Sequence, residues 1–462
     1  MQKENKMGVM PVRKLIISMS LPMMVSMLVQ ALYNVVDSIF VSQVCEDALT
    51  AVSLSFPAQN LMIGVATGTG VGINALLSRN LGAKDYDKVN KIAQNGLFLA
   101  VMSSVIFLLF GLFGTRLFFS TQIEPDSPIF NYGVDYLTVV CGCSIGLFGQ
   151  VTTERLLQAT GKTTLSMATQ LVGAITNIIL DPIFIFGWGP IPRMEAKGAA
   201  VATVIGQILA FIIGVILNKK LNKEIKFGIK GFRPSAKLIF EIYKIAVPSI
   251  AMVAIGSFMT YCFNKILLAF SSTAAAVFGV YFKLQSFAFM PVFGLNNGVI
   301  PIIAYNYGAK NKERITGTLR FSCVIAVSIM AVGMLLMWIM PETMLKLFKA
   351  SEDMMTIGVP ALRIISTSFI LAGVSINLGS AFQALGKSYF SMIVSFARQI
   401  VVLLPVAYFL SKTGVLENVW LAFPIAELMS FAVTMICFTY VYKTIIKKIE
   451  KKQNATQEPP CE

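Results

Sequence analysis

No histidine occurs anywhere in the 462-residue chain. That removes imidazole triads, histidine-ligated metal centres and imidazole proton relays, and leaves carboxylates to carry any proton chemistry. Charge is scarce as well. Asp, Glu, Lys and Arg together make up 13% of the residues, where soluble domains have roughly a quarter. Apolar residues make up 56%, and the mean hydropathy is +0.73. These values exclude a soluble enzyme and a disordered chain. No stretch stays polar long enough to form a separate soluble domain. The seven cysteines (Cys45, Cys141, Cys143, Cys262, Cys323, Cys437 and Cys461) show no metal-ligand spacing. Most lie in apolar runs, where a thiol serves as small packing material. The first apolar run lacks a small-residue cleavage pattern and so reads as a retained helix, not a signal peptide.

What the chain has in abundance is long apolar runs. One bilayer crossing takes about 20 such residues. Runs of that kind cover roughly 15–40, 49–77, 93–117, 132–156, 163–187, 198–218, 242–268, 273–303, 319–340, 355–385, 388–411 and 418–442. The expected fold is therefore an all-α membrane protein of twelve transmembrane helices. The formal charge of +15 is distributed accordingly. Basic residues crowd the N-terminal segment, the loops around 78–91, 218–237 and 305–320, and the tail (Lys443, Lys447, Lys448, Lys451, Lys452), with Lys162 and Lys387 in the remaining loops of that set. The alternate loops hold Arg193, Lys197, Lys346, Lys349 and Lys412. The positive-inside rule then puts both termini and the central loop in the cytoplasm. The excess charge reads as topology and not as a nucleic-acid footprint.

The two halves repeat. An offset of 226 residues takes Pro22 to Pro248, Gln59 to Gln285, Gly68 to Gly294 and Gly72 to Gly298, and aligns Asn80, Gly82, Ala83 and Lys84 with Asn306, Gly308, Ala309 and Lys310. With the offset at 225, QATGKTTLSM (158–167) becomes QALGKSYFSM (383–392). Each repeat carries six spans, an even number, so both enter the membrane from the same side. The expected architecture is two parallel pseudo-symmetric six-helix lobes, as in secondary transporters. They are an N-lobe at 1–218, a cytoplasmic linker at 219–241, a C-lobe at 242–442 and a cytoplasmic tail at 443–462. Pro22 and Pro248 sit early in their helices and read as shaping the entry to each.

A charge in a membrane helix costs roughly 2.5–3.5 kcal/mol on insertion scales, which singles out Asp37 and Asp181. By the expected topology both lie in the outer half of the bilayer. Gln30, Asn34 and Asp37 fall on one face of the first helix, and Asn177 and Asp181 are one turn apart on the fifth. Thr203, near the start of the sixth, lies at the same level. The offset maps Asp37 to Phe263, Asn177 to Val402 and Asp181 to Val406, so the second half lacks this polar cluster. Two neighbouring carboxylates in low dielectric do not both ionise, and they titrate as a unit. That suits H⁺. The same oxygens with those of Asn177 and Thr203 suit Na⁺. Both coupling ions stay open, with H⁺ favoured because the second half has no acidic counterpart. A polar patch satisfying a helix break before Pro182 is the structural alternative. In the second half, Arg398 and Glu427 read either as an ion pair or as substrate contacts. Lys265, Lys283 and Arg363 are further charges in its spans. Glu154 and Arg155 are expected as an interfacial structural pair, and the Met and Phe residues line a cavity or face lipid.

The segments LVQALYNVVDSIFVS (28–42), SLSFPAQNL (53–61), SRNLGAKD (78–85), ERLLQATGKT (154–163), NIILDPIFI (177–185), KGAAVATVIGQ (197–207) and YNYGAK (305–310) appear in that order. Over nearly its full length the chain resembles the multidrug and toxic compound extrusion (MATE) family. The stretch KLQSFAFMPVFGLNNGVIPIIAYNYGA (283–309) is similar to its bacterial multidrug-pump branch. The resemblance implies an antiporter of a bacterial cell membrane, with two six-helix lobes around a central cavity. It would be monomeric, without cofactor or catalytic centre, exporting lipophilic, often cationic drugs against inward H⁺ or Na⁺. It also implies that Asp37, Asn177, Asp181 and Thr203 form the first-lobe cation or proton site. Some relatives carry carboxylates in the seventh, eighth or tenth span, where this chain has Lys265, Lys283 and Arg363. A lipid-linked precursor flippase of the same superfamily is the alternative. It would need a basic, phosphate-binding cavity, for which Lys265, Lys283 and Arg398 are candidates.

Overall fold

A backbone in hydrocarbon must satisfy its own hydrogen bonds, so long apolar runs become helices. The computed structural model describes residues 4–44, 46–188, 191–226, 228, 232–348 and 350–449. Cys45, Cys461, Lys3, Lys230, Lys349, Lys451, Lys452 and the expected tail beyond 449 lie outside the described residues. Among those described, ten helices are long and apolar enough to cross a membrane, and two helix pairs pass that test as bent spans. In chain order they are α1 (Val12–Val41), α2 (Thr50–Gly82), α3 (Tyr86–Ser120), α4 (Pro128–Gly142 with Ile145–Ala159), α5 (Thr163–Phe186) and α6 (Glu195–Leu221). The second series is α7 (Ala236–Leu268), α8 (Ser272–Gly308), α9 (Lys312–Ile339), α10 (Glu352–Ser366 with Phe369–Ala384), α11 (Ser388–Ser411) and α12 (Leu416–Ile449).

Each of the twelve expected spans corresponds to one of these. Two of them are not straight: α4 bends by 43° and α10 by 49°. The break in α4 falls at Cys143, which leaves helical geometry (φ −105°, ψ 23°). The duplication is also visible in the backbone. Lys84 and Lys310 both adopt positive φ (61° and 56°), as do Gly161 and Gly386 (86° and 74°). Asn80 Nδ2 donates to the Leu76 carbonyl at 2.7 Å, and Asn306 Nδ2 to that of Ile302 at 2.8 Å. The next helix is then capped in the same way twice. Asp85 Oδ1 accepts from the Lys88 N–H, and Asn311 Oδ1 from the Arg314 N–H, both at 3.1 Å. These matches explain why residues near 80 and 306 are retained in both repeats.

The chain divides into two compact units, Val25–Ile250, and Met1–Met24 with Ala251–Glu462. Their limits differ from the repeat limits at 218 and 242. Glycine rows account for the difference. In the first unit, a Cβ on Gly72 of α2 would stand 2.6 Å from the Ile242 carbonyl oxygen of α7, and one on Gly68 would stand 3.1 Å from that of Ala246. In the second unit, a Cβ on Gly298 of α8 would stand 2.7 Å from Ser20 Cα of α1, and one on Gly294 would stand 2.5 Å from Met24 Cα. Ser20 Oγ also donates to the Leu295 carbonyl at 3.2 Å. Each unit thus packs the glycines of its second helix against the opening half of the other repeat's first helix. The unit limits fall two residues beyond Pro22 and Pro248, which lie inside α1 and α7. A proline leaves the carbonyl four residues earlier without its helical donor, so the helix is locally weakened there.

The glycine contacts are testable. Gly298→Leu should lower stability in detergent by about 1–3 kcal/mol through overpacking. Gly279→Ala, on the same helix but with no atom within 4 Å of its Cβ position, should leave it unchanged. Equal thermal midpoints for the two variants would contradict the packing assignment.

Candidate functional site

The polar residues of the first repeat meet at a seam between α5 and α6. A Cβ on Gly206 would stand 2.7 Å from the Gly173 carbonyl oxygen, and one on Gly198 would stand 2.4 Å from that of Phe184. Backbones can come this close only where side chains are missing. The seam sets Asn177 beside Thr203. Asn177 Nδ2 donates to Asp181 Oδ1 at 3.1 Å, one turn along its own helix, and to Thr203 Oγ1 at 3.2 Å across the seam. Asn177 and Asp181 are buried.

Asp37, half-buried on the later part of α1, joins them. Its carboxyl and that of Asp181 lie within hydrogen-bonding reach of one another. Tyr33, one turn earlier on α1, and Tyr136 on α4 stand close enough to sense both carboxyls. The Tyr136 hydroxyl donates to Gln59 Oε1 of α2 at 3.5 Å. Tyr136 itself belongs to an apolar cluster with Met62, Leu137, Ile185 and Ala199. Three buried acceptors, Asp37 Oδ1, Asp181 Oδ2 and Asn177 Oδ1, have no hydrogen-bond donor. Carboxyl, amide and hydroxyl oxygens form a donor set for a proton or a hard cation. Among the described residues, no group of three or more Cys, Asp or Glu stands together to hold a metal ion.

The structure therefore brings Asp37, Asn177, Asp181 and Thr203 together. Gln30 and Asn34 are exposed positions on α1 before Asp37. Tyr33 was not singled out from the sequence, although its place one turn from Asp37 was a signal for it. Gln59 and Tyr136 carried no local signal, because they reach the cluster from other helices.

The second unit holds something different at the equivalent position. Phe263, the counterpart of Asp37, is fully buried in an aromatic cluster, with ring centroids 4.7 Å from Phe278, 5.0 Å from Phe423 and 6.1 Å from Trp420. Of the second-half candidates, Arg398 and Glu427 pair at 3.0 Å between Nη1 and Oε2. Arg398 sits in a π-helical turn, Ala397–Leu403, inside α11. Such a turn re-aims a side chain without ending the helix. Glu427 is buried and Tyr281 lies near both partners. Lys265 is exposed, with its Nζ 4.8 Å from the Tyr261 ring centroid, and Lys283 is exposed as well.

Glu154 and Arg155 lie near the end of α4, at Ala159. Both are buried within the protein, at 4% and 7% exposure. Neutral groups receive them. Glu154 Oε1 accepts from Gln150 Nε2 at 3.0 Å and Thr169 Oγ1 at 3.4 Å, and its Oε2 accepts from Gln170 Nε2 at 2.7 Å. Arg155 Nη1 donates to Gln158 Oε1 at 2.9 Å. Gly70 of α2 admits the arginine stem, since a Cβ there would stand 2.8 Å from Arg155 Cγ.

Comparison with known proteins fits this arrangement. The multidrug export protein MepA of Staphylococcus haemolyticus (strain JCSC1435) is 28% identical over 414 residues, which is 88% of this chain and 90% of that protein. MepA of Staphylococcus aureus (strain MSSA476) is 28% identical over 422 residues, covering 89% and 91%. A crystal structure of MATE in complex with MaL6 superposes with a TM-score of 0.90 at 23% identity, covering 98% of this chain and all of that one, a likeness of fold. The MatE family model matches twice, over residues 22–183 and 248–409, once in each repeat and at the same 226-residue offset. With most of its length matched in this way, the chain is a multi-pass membrane transporter that belongs to the MatE family.

Proposed function

We propose that this transporter exports lipophilic, often cationic organic compounds by alternating access, in exchange for an inward cation bound at Asp37, Asn177, Asp181 and Thr203. The observation that carries the reading is the hydrogen-bonded set of Asn177, Asp181 and Thr203, the first two buried, with the carboxyl of Asp37 close to that of Asp181. Two such carboxyls hold a proton or a cation between them, and losing it leaves an unbalanced charge in low dielectric. A site that is stable when loaded and costly when empty couples its occupancy to conformation. The names of the MepA relatives, multidrug export proteins, support the substrate class.

H⁺ is the favoured coupling ion and Na⁺ the alternative. A shared proton needs only the two carboxyls, and the second repeat has Phe263, Val402 and Val406 where the first has Asp37, Asn177 and Asp181. In this reading Asn177 orients Asp181 and Thr203. Gln30 and Asn34 extend the polar face of α1 toward the drug path. The flippase reading loses weight because Arg398 is neutralised by Glu427. The basic loops support cytoplasmic termini and a position in the bacterial cell membrane. The working unit is a monomer.

In proteoliposomes, Asp37→Asn and Asp181→Asn should each cut ethidium export driven by a pH gradient by about 100-fold, the scale of a lost proton-transfer group. A protonophore should abolish export by the wild type, and removing Na⁺ should not. Undiminished gradient-driven export by both variants would overturn the assignment.

Glu427→Ala strands the Arg398 guanidinium. It should cost about 1–3 kcal/mol of stability, with most of the loss recovered in the Arg398→Met, Glu427→Met double variant. A drop in ethidium affinity at unchanged thermal midpoint would instead place Glu427 on the substrate.

A further inference from the structure

The polar stripe on α5 is longer than the coupling cluster requires. Ser166, Gln170, Gly173, Asn177 and Asp181 recur at intervals of three and four residues and so share one face. Asp181 stands at one end of the stripe. At the other, Gln170 donates to the buried carboxyl of Glu154. Gln207 lies on α6 one turn beyond Thr203 and next in sequence to Gly206, with its Cβ 3.2 Å from where a Cβ on Gly146 of α4 would stand. Three side-chain oxygens along this course, Asn177 Oδ1, Gln207 Oε1 and Gln170 Oε1, are buried and have no hydrogen-bond donor. Buried acceptors of this kind are uncommon, and ordered water is their usual partner. The second repeat lacks both ends and the middle of this course together, with Gly379, Val402 and Val406 in place of Glu154, Asn177 and Asp181.

We propose that Glu154 is the cytoplasmic-side proton-release group for the Asp37–Asp181 pair, reached through a water-bearing track lined by Asn177, Gln207 and Gln170. The inference rests on the proton-antiport reading above. From Gln170 to Asp181 the helix rises about 16 Å at ~1.5 Å per residue, too far for direct transfer, so water carries the proton. A carboxyl of the aspartate pair gives up its proton and becomes a carboxylate. The proton passes along the water file, and the Glu154 carboxylate takes it up. Glu154 then releases it at the end of α4 and regains its charge. The aspartate pair takes its next proton from the outside when it faces that way, so over the full cycle one proton moves inward and no group is changed.

Glu154 is well placed for this. Gln150, Gln170 and Thr169 offer three donors to its carboxylate form. Arg155 is the charged group beside it, while α5 presents the neutral Gln170 and Thr169. The turn that follows α4 carries Lys162, which binds Glu224 at 2.7 Å and the Leu221 carbonyl at 2.6 Å. This is the basic-loop end that the positive-inside rule puts in the cytoplasm. The track is also interrupted. Gly173 and Gly206 bring the two backbones into contact between Asn177 and Gln170. An antiporter requires such a break, since a continuous file would leak protons without moving drug. Transfer then waits until α5 and α6 part by the width of a water.

The experiment compares two measurements on reconstituted full-length protein without Na⁺. One is net ethidium export driven by an imposed pH gradient. The other is ethidium–ethidium exchange at equal pH, which needs no net proton release. Glu154→Gln should lower net export by about tenfold or more, leave exchange within about twofold of wild type, and flatten the pH profile of export. Reversal of the Gln170 amide lets this variant keep its hydrogen bonds. Glu154→Asp should restore part of the net export. Should Glu154→Gln fold poorly, Gln207→Leu tests the same split at the middle of the track. Wild-type export by both Glu154→Gln and Gln207→Leu, with Asp181→Asn inactive, would sink the track alone. Equal loss of export and exchange in Glu154→Gln would reduce Glu154 to a structural role and sink it too. Wild-type export by Asp181→Asn would sink the coupling reading, and the track with it.

Discussion

Helices in a bilayer gain little from burying apolar surface against one another, because lipid is as apolar as they are. They meet closely where a side chain is missing and backbone can touch backbone. In this protein that constraint recurs at each point that matters. Gly68 and Gly72 fasten α2 to the opening of α7, Gly294 and Gly298 fasten α8 to the opening of α1, and Gly173 and Gly206 close the seam between α5 and α6. The first two pairs determine which segments form a compact unit. The third determines which polar side chains can reach each other. Asn177 bridges Asp181 and Thr203 because α6 can come within backbone contact of α5 on either side of it.

Much of this was legible in the sequence, and the residues show why. The twelve spans follow from hydropathy, because a continuous apolar run of about 20 residues satisfies its own backbone in lipid as a helix. The duplication was legible because its conserved residues do backbone work. Asn80 and Asn306 bond to the carbonyl four residues back, and Lys84 and Lys310 follow with positive φ. The bends in α4 and α10 were not legible. Neither break carries a proline, and the small residues that do mark them, Cys143 and Ser144 in α4 and Thr367 and Ser368 in α10, are of types that also occur inside straight helices. The exchange of half-helices between units was also hidden, since it depends on contacts such as Ser20 with Leu295, which no local pattern records.

The candidate site was legible for a different reason. A repeated sequence supplies its own control, and residues kept in one copy only stand out. Asp37 and Asp181 stood out first as charges inside membrane helices, and the repeat then set them and Asn177 apart from Phe263, Val406 and Val402. The comparison also shows what replaced them, because Phe263 fills the position of Asp37 as the centre of an aromatic cluster. One backbone thus supports a polar site in one repeat and an apolar plug in the other. The burial of Glu154 was not legible, because its place near the end of a span says nothing of what packs around it. Its burial depends on Gln150, Gln170 and Thr169, two of which come from the neighbouring helix.

In the proposed cycle the seam between α5 and α6 has two consequences that work against each other. Close contact sets Thr203 within reach of Asn177, which also bonds Asp181. The same contact at Gly173 and Gly206 lies between Asn177 and Gln170, and in the proposed track it would keep the aspartates from discharging toward Glu154 while the seam is closed. A side chain at either glycine would prop the seam open, weakening the site and opening the track together. A bulkier residue there would therefore favour leak over coupling. This gives a physical reason for two glycines to face each other in the middle of a polar stripe.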